Sequence, residues 1–316
     1  MYCVGLDVGG TKCAVSLGEI NGSISILERN EFPTSIGTPE TVLLRFCEYI
    51  DKYVKEYKIA GIGVSCGGPL DSKTGVIINP PNLLGWENIK IKQFFENKYS
   101  IKTYLQNDAN ACAVAEWKFG AGKGCNNVVF LTFGTGLGAG LILNGKLYSG
   151  TNDNAGEAGH IRLSAVGPVG YGKAGSFEGF CSGGGIKKLC LIMIDKELKK
   201  GNIPEILSAV KNKDEITAKL IAERARTGDK FCKKVYDACA EKLGYGLSVL
   251  IDILNPEVII LGGIYMRSSD LLTEKMQKII DKEALPLSGS VCRILPAGLK
   301  ENIGDYAALS VAEGDF

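Results

Sequence analysis

Apolar residues follow two rhythms along the 316-residue chain. Residues 2–7, YCVGLD, form an apolar run; VGGT follows, then the run CAVSLGEI, and a turn at Asn21-Gly22 leads into SISILER. Alternating apolar positions joined by tight glycine-bearing turns predict a three-stranded β-meander. The rhythm then becomes helical. Thr38-Pro39-Glu40 supplies an N-cap, a first-position proline and an acidic first turn, and Val42, Leu43, Phe46, Ile50, Tyr53 and Val54 recur at helical spacing. IAGIGVS and SIKTYLQN predict two further strands, with a helix beginning near Ala109.

The pattern then restarts. NNVVFLTFGTGLGAGLILNGKLYSG (126–150) is again strand, glycine turn, strand, Asn-Gly, strand, and Leu6-Asp7-Val8-Gly9-Gly10-Thr11 lies over Leu131-Thr132-Phe133-Gly134-Thr135-Gly136. An internal duplication of this kind outranks any local assignment. A long helix bearing Val235, Leu243, Leu247, Leu250 and Leu254 stops at Asn255-Pro256; the strand EVIILGG follows, then a helix with Leu271, Leu272, Met276, Ile279 and Ile280, and a closing helical segment in GDYAALSVAEGDF. The expected fold is α/β: two duplicated domains, residues 1–118 plus 300–316 and residues 119–299, with a tight hinge near 118–125 and a ligand cleft between them.

Composition narrows the class. The chain is 45% apolar and 22% charged with a net charge of +1, so nothing in its charge favours nucleic acid, an anionic membrane or an acidic partner. No apolar run reaches membrane-spanning length and the first residues read as a strand and turn, not a signal peptide. Eleven scattered cysteines with no C-x-x-C predict reduced, mostly buried thiols of a cytoplasmic protein. The 41 glycines cluster after apolar runs, which points to ligand loops.

Two such loops, DVGGTK (7–12) and TFGTGLGAG (132–140), suit an anion, because glycine lets consecutive amide N–H groups approach it. Each places a threonine beside the glycines, and Asp7 offers a carboxylate suited to Mg²⁺ through water. Gly262-Gly263 sits at a strand end, where open α/β sheets bind ligands. In QNDANACAVAEW, Asp108 ends a strand and opens a helix beside Asn107 and Asn110; its spacing fits a helix cap, the more ordinary role, or a proton acceptor. Glu157 and His160, the only histidine, are three apart and suit the bracketing of vicinal hydroxyls. GPVGYGK (167–173) matches the phosphate-loop pattern G-x-x-x-x-G-K. Ala174 stands where Ser or Thr would meet Mg²⁺, however, and the stretch leads into AGSFEGF, so the match reads as accidental.

Taken in order, DVGGTK, GIGVSCGGPLD (61–71), NPPNLLGWENI (79–89), NDANA (107–111), TFGTGLGAG, GEAGH (156–160) and VIILGG (258–263) resemble the sugar kinases of the ROK family (repressor, open reading frame, kinase), within the actin-like ATPase superfamily. The resemblance spans essentially the whole chain and implies two actin-like (ribonuclease H-like) domains. It implies that Asp7, Gly9, Gly10, Thr11, Lys12 and Thr132, Gly134, Thr135, Gly136, Gly138 grip the ATP phosphates and that Gly262 and Gly263 meet the adenosine. It makes Asp108 the general base and Asn107 a sugar contact, joined by Gly68, Asn82, Glu157, His160 and Glu178; Trp86 reads as packing. It also implies a homodimer using ATP and Mg²⁺.

One motif departs from the family. A C-x-C-G-x-x-G-C-x-E loop would bind zinc together with the histidine, yet Val169, Tyr171 and Ser176 stand at the cysteine positions of VGYGKAGSFEGFCSG (169–183), so no structural zinc is expected. The expected activity is ATP-dependent phosphorylation of a free hexose, glucose at its 6-hydroxyl first, with N-acetylmannosamine, N-acetylglucosamine, mannose, fructose or allose as alternatives. A sugar-sensing transcriptional regulator is the reading from another class; such regulators carry an N-terminal helix-turn-helix, whereas this sequence opens on a strand.

Overall fold

A computed structural model describes residues 1–316, the side chain of Glu301 excepted. The meander forms as the alternation predicts, with β1 (Tyr2–Val8), β2 (Lys12–Ile20) and β3 (Ile24–Pro33) antiparallel. β4 (Ile59–Cys66) then pairs parallel to β1, and β5 (Thr103–Asn107) parallel to β4, giving the sheet order β3-β2-β1-β4-β5. The second sheet holds β6 (Val128–Leu131), β7 (Ala139–Leu143), β8 (Lys146–Leu147), β9 (Val258–Leu261) and β10 (Arg293–Pro296) in the order β8-β7-β6-β9-β10. Third-second-first-fourth-fifth occurs twice. The duplication read from the glycine turns is therefore a duplication of sheet topology.

The chain folds as two compact units: Met1–Phe130 with Gly140–Gly156 and Ala297–Phe316, and Leu131–Ala139 with Glu157–Pro296. Where the sequence pattern placed 119–299 in one domain, residues 119–130 and 140–156 belong to the first unit, together with 297–299.

In the first unit α1 (Pro39–Glu56) buries Val42, Leu43, Phe46, Ile50 and Tyr53 against the sheet, while Val54 stands 37% exposed. Thr38 occupies the N-cap, but its hydroxyl meets that of Thr41 (3.4 Å) and leaves the helix amides alone. Trp86 is 2% exposed inside this core, as a packing residue. α2 (Asp108–Phe119) packs on α7 (Ile303–Val311) through Ala111, Ala115, Ala307 and Val311. α7 also lies on β1 and β4 at backbone distance: a Cβ on Gly63 would stand 2.0 Å from the Ala308 carbonyl oxygen. Glycine is what lets the helix come so close.

The second unit is helical around its strands, with α3 (Gly183–Lys199), α4 (Ala218–Arg226), α5 (Lys230–Leu254) and α6 (Ile264–Glu283). Asn255 closes α5 in the left-handed region (φ 45°) ahead of Pro256, the stop that Asn-Pro predicts. On α6, Leu272, Met276 and Ile280 are buried. All eleven thiols are free; Cys112 and Cys292 are half-buried and the others buried. No helix among the described residues is long and apolar enough to cross a membrane.

Candidate active site

The first glycine turn is drawn tight by its own neighbours. Gly9 N–H donates to the Lys12 carbonyl (3.2 Å), and Thr34, just past the end of β3, clamps the turn, its hydroxyl donating to Gly9 O (2.6 Å) and its amide to Thr11 O (3.0 Å). Among the described residues the amides of Gly10 and Thr11 make no hydrogen bond, so they remain as donors for an anion. A Cβ on Gly10 would stand 2.6 Å from the Asn82 carbonyl oxygen, which brings the NPPN loop against this turn. Lys12 pairs with Glu31 at 2.9 Å on the exposed edge.

Asp7 enters the turn from the end of β1. Burial, then the negative charges of Asp108 and Asp305, push its carboxyl up to about 6, against the pull of Arg29 and Lys12. Asp108 opens α2. The capping role that spacing suggested falls to its neighbour, because the Asn107 side chain accepts from Ala109 N–H (2.9 Å) and is the N-cap of the helix. Asp108 Oδ1 accepts from the same amide at 2.8 Å. Water reaches this carboxylate, yet the protein around it removes enough hydration to raise its pKa, and the amide bond only partly offsets that. Gly68 stands beside Asn107, an ideal Cβ falling 3.3 Å from its Nδ2.

Sequence reasoning missed Gln106. Its Oε1 accepts from Asn107 N–H (2.9 Å) and from Asn110 Nδ2 (3.1 Å), so it fixes the stretch that presents Asp108. A polar residue in the last positions of a strand, directly before NDAN, was the available signal. Asn110 Oδ1 is buried without a hydrogen-bond partner among the described residues.

The second glycine turn is held from within and by a carboxylate. Thr132 N–H donates to Gly138 O (3.0 Å), Gly138 N–H to the Thr132 hydroxyl (3.0 Å) and Gly134 N–H to Gly136 O (3.0 Å). Glu178, which the family resemblance makes a sugar contact, accepts from Leu137 N–H at 3.1 Å and so braces this turn. Gly262 and Gly263 are fastened to the same place: Gly262 N–H donates to Leu131 O (3.0 Å), and a Cβ on Gly263, at φ +58°, would meet Phe133 O at 2.0 Å. A cavity of about 790 Å³ opens beside the turn, lined by Gly134, Thr135, Gly183, Lys187, Thr217, Glu223, Arg226, Ile264 and Arg267 among others. Its volume lies in the range of small-molecule sites. Gly262 and Gly263 do not line it; the first turn of the helix after them does.

GEAGH packs under that turn, since a Cβ on Gly159 would fall 2.0 Å from Leu137 O. Ala158–His160 is a single 3₁₀ turn with Glu157 at its N-cap, and the side chains of Glu157 and His160 are both exposed. GPVGYGK forms a β-hairpin, Val169–Gly170 against Lys173–Ala174, turning through Tyr171 (φ 40°) and Gly172 (φ 74°). Positive φ at both central residues is a hairpin turn, not a phosphate loop opening a helix. Ser176, fully buried, donates to Gly170 O (3.3 Å) and accepts from Gly179 N–H (3.1 Å). Lys188 Nζ holds Val169 O and Arg162 holds Ala174 O, each at 2.7 Å; Lys173 Nζ holds His160 O at 2.8 Å, and the Tyr171 ring stands edge-on to the imidazole. One imidazole and a hydroxyl already bound twice do not fit the four N or S donors of a structural zinc site.

The pattern of the ROK family matches residues 3–314 of the chain. A glucokinase of Thermotoga maritima is 27% identical over 309 residues, covering 98% of this chain and 96% of that protein. A xylose repressor of Caldicellulosiruptor bescii is 30% identical over 288 residues, 89% of this chain and 70% of the repressor. A ROK family glucokinase from Streptomyces griseus, solved in complex with glucose and AMPPNP, superposes with a TM-score of 0.77 at 28% identity over 99% of this chain and 100% of that one. Kinship with glucokinases supports sugar kinase activity, and kinship with repressors accompanies it. The chain belongs to the ROK family.

Proposed function

We propose that the protein transfers the γ-phosphoryl group of ATP to a free hexose, glucose at its 6-hydroxyl being the first choice. The observation that carries this reading is Asp108: a water-accessible carboxylate with a raised pKa, fixed at a helix start by Asn107 and Gln106, in the same unit as the Asp7 glycine turn. Phosphoryl transfer asks for an in-line nucleophile, neutralised charge and an acceptor for the hydroxyl proton. Asp108 takes that proton as the sugar oxygen bonds to phosphorus and the bond to the β-phosphate oxygen breaks. The Gly10 and Thr11 amides of the first unit, and separately the Thr135 and Gly136 amides of the second, are, among the described residues, spare donors that suit phosphate oxygens, and the 790 Å³ cavity suits the nucleoside. Asp7 would hold Mg²⁺ through water, and the ion would neutralise phosphate charge. Asn82, Asn107, Glu157 and His160 serve as hydroxyl contacts in this reading, and a cytoplasmic homodimer is part of it.

A coupled assay of ATP turnover over glucose, mannose, fructose, allose and the two N-acetylated amino sugars tests it; no turnover with any of them would sink it. The likeness to a xylose repressor favours one second reading, a sugar-responsive regulator. Calorimetry separates the two, since a regulator binds its sugar with no ATP consumed.

A further inference from the structure

A second cavity, of about 610 Å³, lies in the second unit and shares no lining residue with the one beside the glycine turn. The end of α3, the segment 202–205 and the first turns of α5 enclose it. Four lysines line it, Lys196, Lys200, Lys230 and Lys234, against two glutamates. Both glutamates are already engaged: Glu197 pairs with Lys200 at 2.9 Å and accepts from Asn202 at 2.8 Å, and Glu205 pairs with Arg224 at 2.6 Å. Lys196, Lys230 and Lys234 make no hydrogen bond or ion pair among the described residues, although Glu197 feels Lys234 through space.

The rest of the lining is apolar. Phe231 and Met193 are half-buried, and Ile203 is 80% exposed although it faces a cavity. Three ammonium groups without an ion-pair partner among the described residues line one concavity, and an anion placed among them gains from each. Exposed apolar side chains in the same concavity gain by being covered. Neither feature alone asks for a ligand, since surface lysines are ordinary and an isolated exposed isoleucine is too. Together they match a molecule with a doubly charged head and an apolar body.

We propose that this cavity binds a small organic phosphate monoester, its phosphate among Lys196, Lys230 and Lys234 and its apolar or ring portion against Ile203 and Phe231. The site is separate from the candidate active site and does not depend on the kinase reading.

Phenyl phosphate is the probe, titrated into the full chain carrying ¹³C-methyl methionine. The chain has four methionines, and Met193 alone of them lines this cavity. The expected result is a saturable shift of the Met193 methyl signal, weakened several-fold by raised salt as exposed ammonium contacts require. The triple variant Lys196→Gln/Lys230→Gln/Lys234→Gln should bind at least tenfold more weakly while keeping the parent's melting temperature and its Met276 methyl signal, which report an intact fold. Lys233→Gln, on the same helix but outside the cavity, should bind as the parent does. Unchanged affinity in the triple variant overturns the proposal. So does a shift at Met266 without one at Met193, or phenol binding as tightly as phenyl phosphate. Inorganic phosphate binding as tightly as phenyl phosphate removes the apolar subsite and overturns it equally.

Discussion

Each copy of the duplicated sheet ends in a fifth strand followed by a helix, and each helix carries an aspartate in its first turn: Asp108 on α2 and Asp305 on α7. The two helices pack on one another in the first unit through small side chains. Their aspartates have opposite fates. Asp305 is 6% exposed and fully engaged, accepting from the Ser16 hydroxyl at 2.6 Å and from Arg29 Nε at 2.8 Å. Asp108 faces water, bonds only backbone amides and accepts from no side chain among the described residues. A duplication copies backbone; what a copied carboxylate does is decided by the donors that surround it. A carboxylate locked between a hydroxyl and a guanidinium holds a helix on a sheet, whereas one with spare lone pairs and a raised pKa can take a proton.

The sharpest way to break that contrast is Asp108→Asn. Turnover should fall by ~10²–10⁴, the usual worth of a general base, with sugar affinity and melting temperature retained. Retained turnover would remove Asp108 as the base. Next in size is Glu116, at the far end of the same helix. It is fully buried and its carboxylate accepts from three amides, Ala121 (2.7 Å), Gly298 (3.0 Å) and Leu299 (2.9 Å), tying the end of α2 to the approach to α7. Glu116→Gln puts an NH₂ group among donors and should cost about 3 kcal/mol in denaturant unfolding; a loss below about 1 kcal/mol would mean the amides find other acceptors. Asp305→Asn should follow at ~2 kcal/mol, reduced because Arg29 is partly solvated. Its kcat should match the parent's, the reverse of the Asp108 pattern.

How much of this was legible follows from where the information sits. The meander, the glycine turns and the repeat of both are local patterns, and the chain writes them out in DVGGTK and TFGTGLGAG. Asp108 was legible as a residue with two roles; that Asn107 takes the cap is a matter of rotamers, which the sequence does not show. The segment 183–229 carries much of the cavity lining and was not readable. α3 opens with three glycines, each unfavourable in a helix by about 1 kcal/mol relative to alanine, and α4 buries alanines along with Ile221, so neither shows a strong apolar stripe. Lys187, Thr217, Glu223 and Arg226 are ordinary surface residues until packing makes them converge. Glu178 was singled out as a sugar contact, but the bond it makes to Leu137 N–H joins residues 41 apart, which spacing does not reveal.

Asp7 supplies the finest test, because it feels both aspartates being compared. Burial leads the rise of its pKa to about 6, and the charge of Asp108 ranks ahead of that of Asp305. Asp108→Asn should therefore lower the Asp7 pKa more than Asp305→Asn does, as read by carboxyl NMR titration; the reverse order would mean that Asp305 faces Asp7 more directly. The sign for stability follows from linkage. The folded chain holds the Asp7 proton more tightly than the unfolded chain, whose value is 3.8, so stability is lost as pH rises from about 4 through 6. Asp7→Asn removes that loss. It should match the parent near pH 4 and exceed it by on the order of 1 kcal/mol at pH 8, screening discounted, while impairing turnover at both. A variant no more stable than the parent at pH 8 would show that Arg29 and Lys12 already compensate the charge, and that the glycine turn carries its carboxylate at no cost.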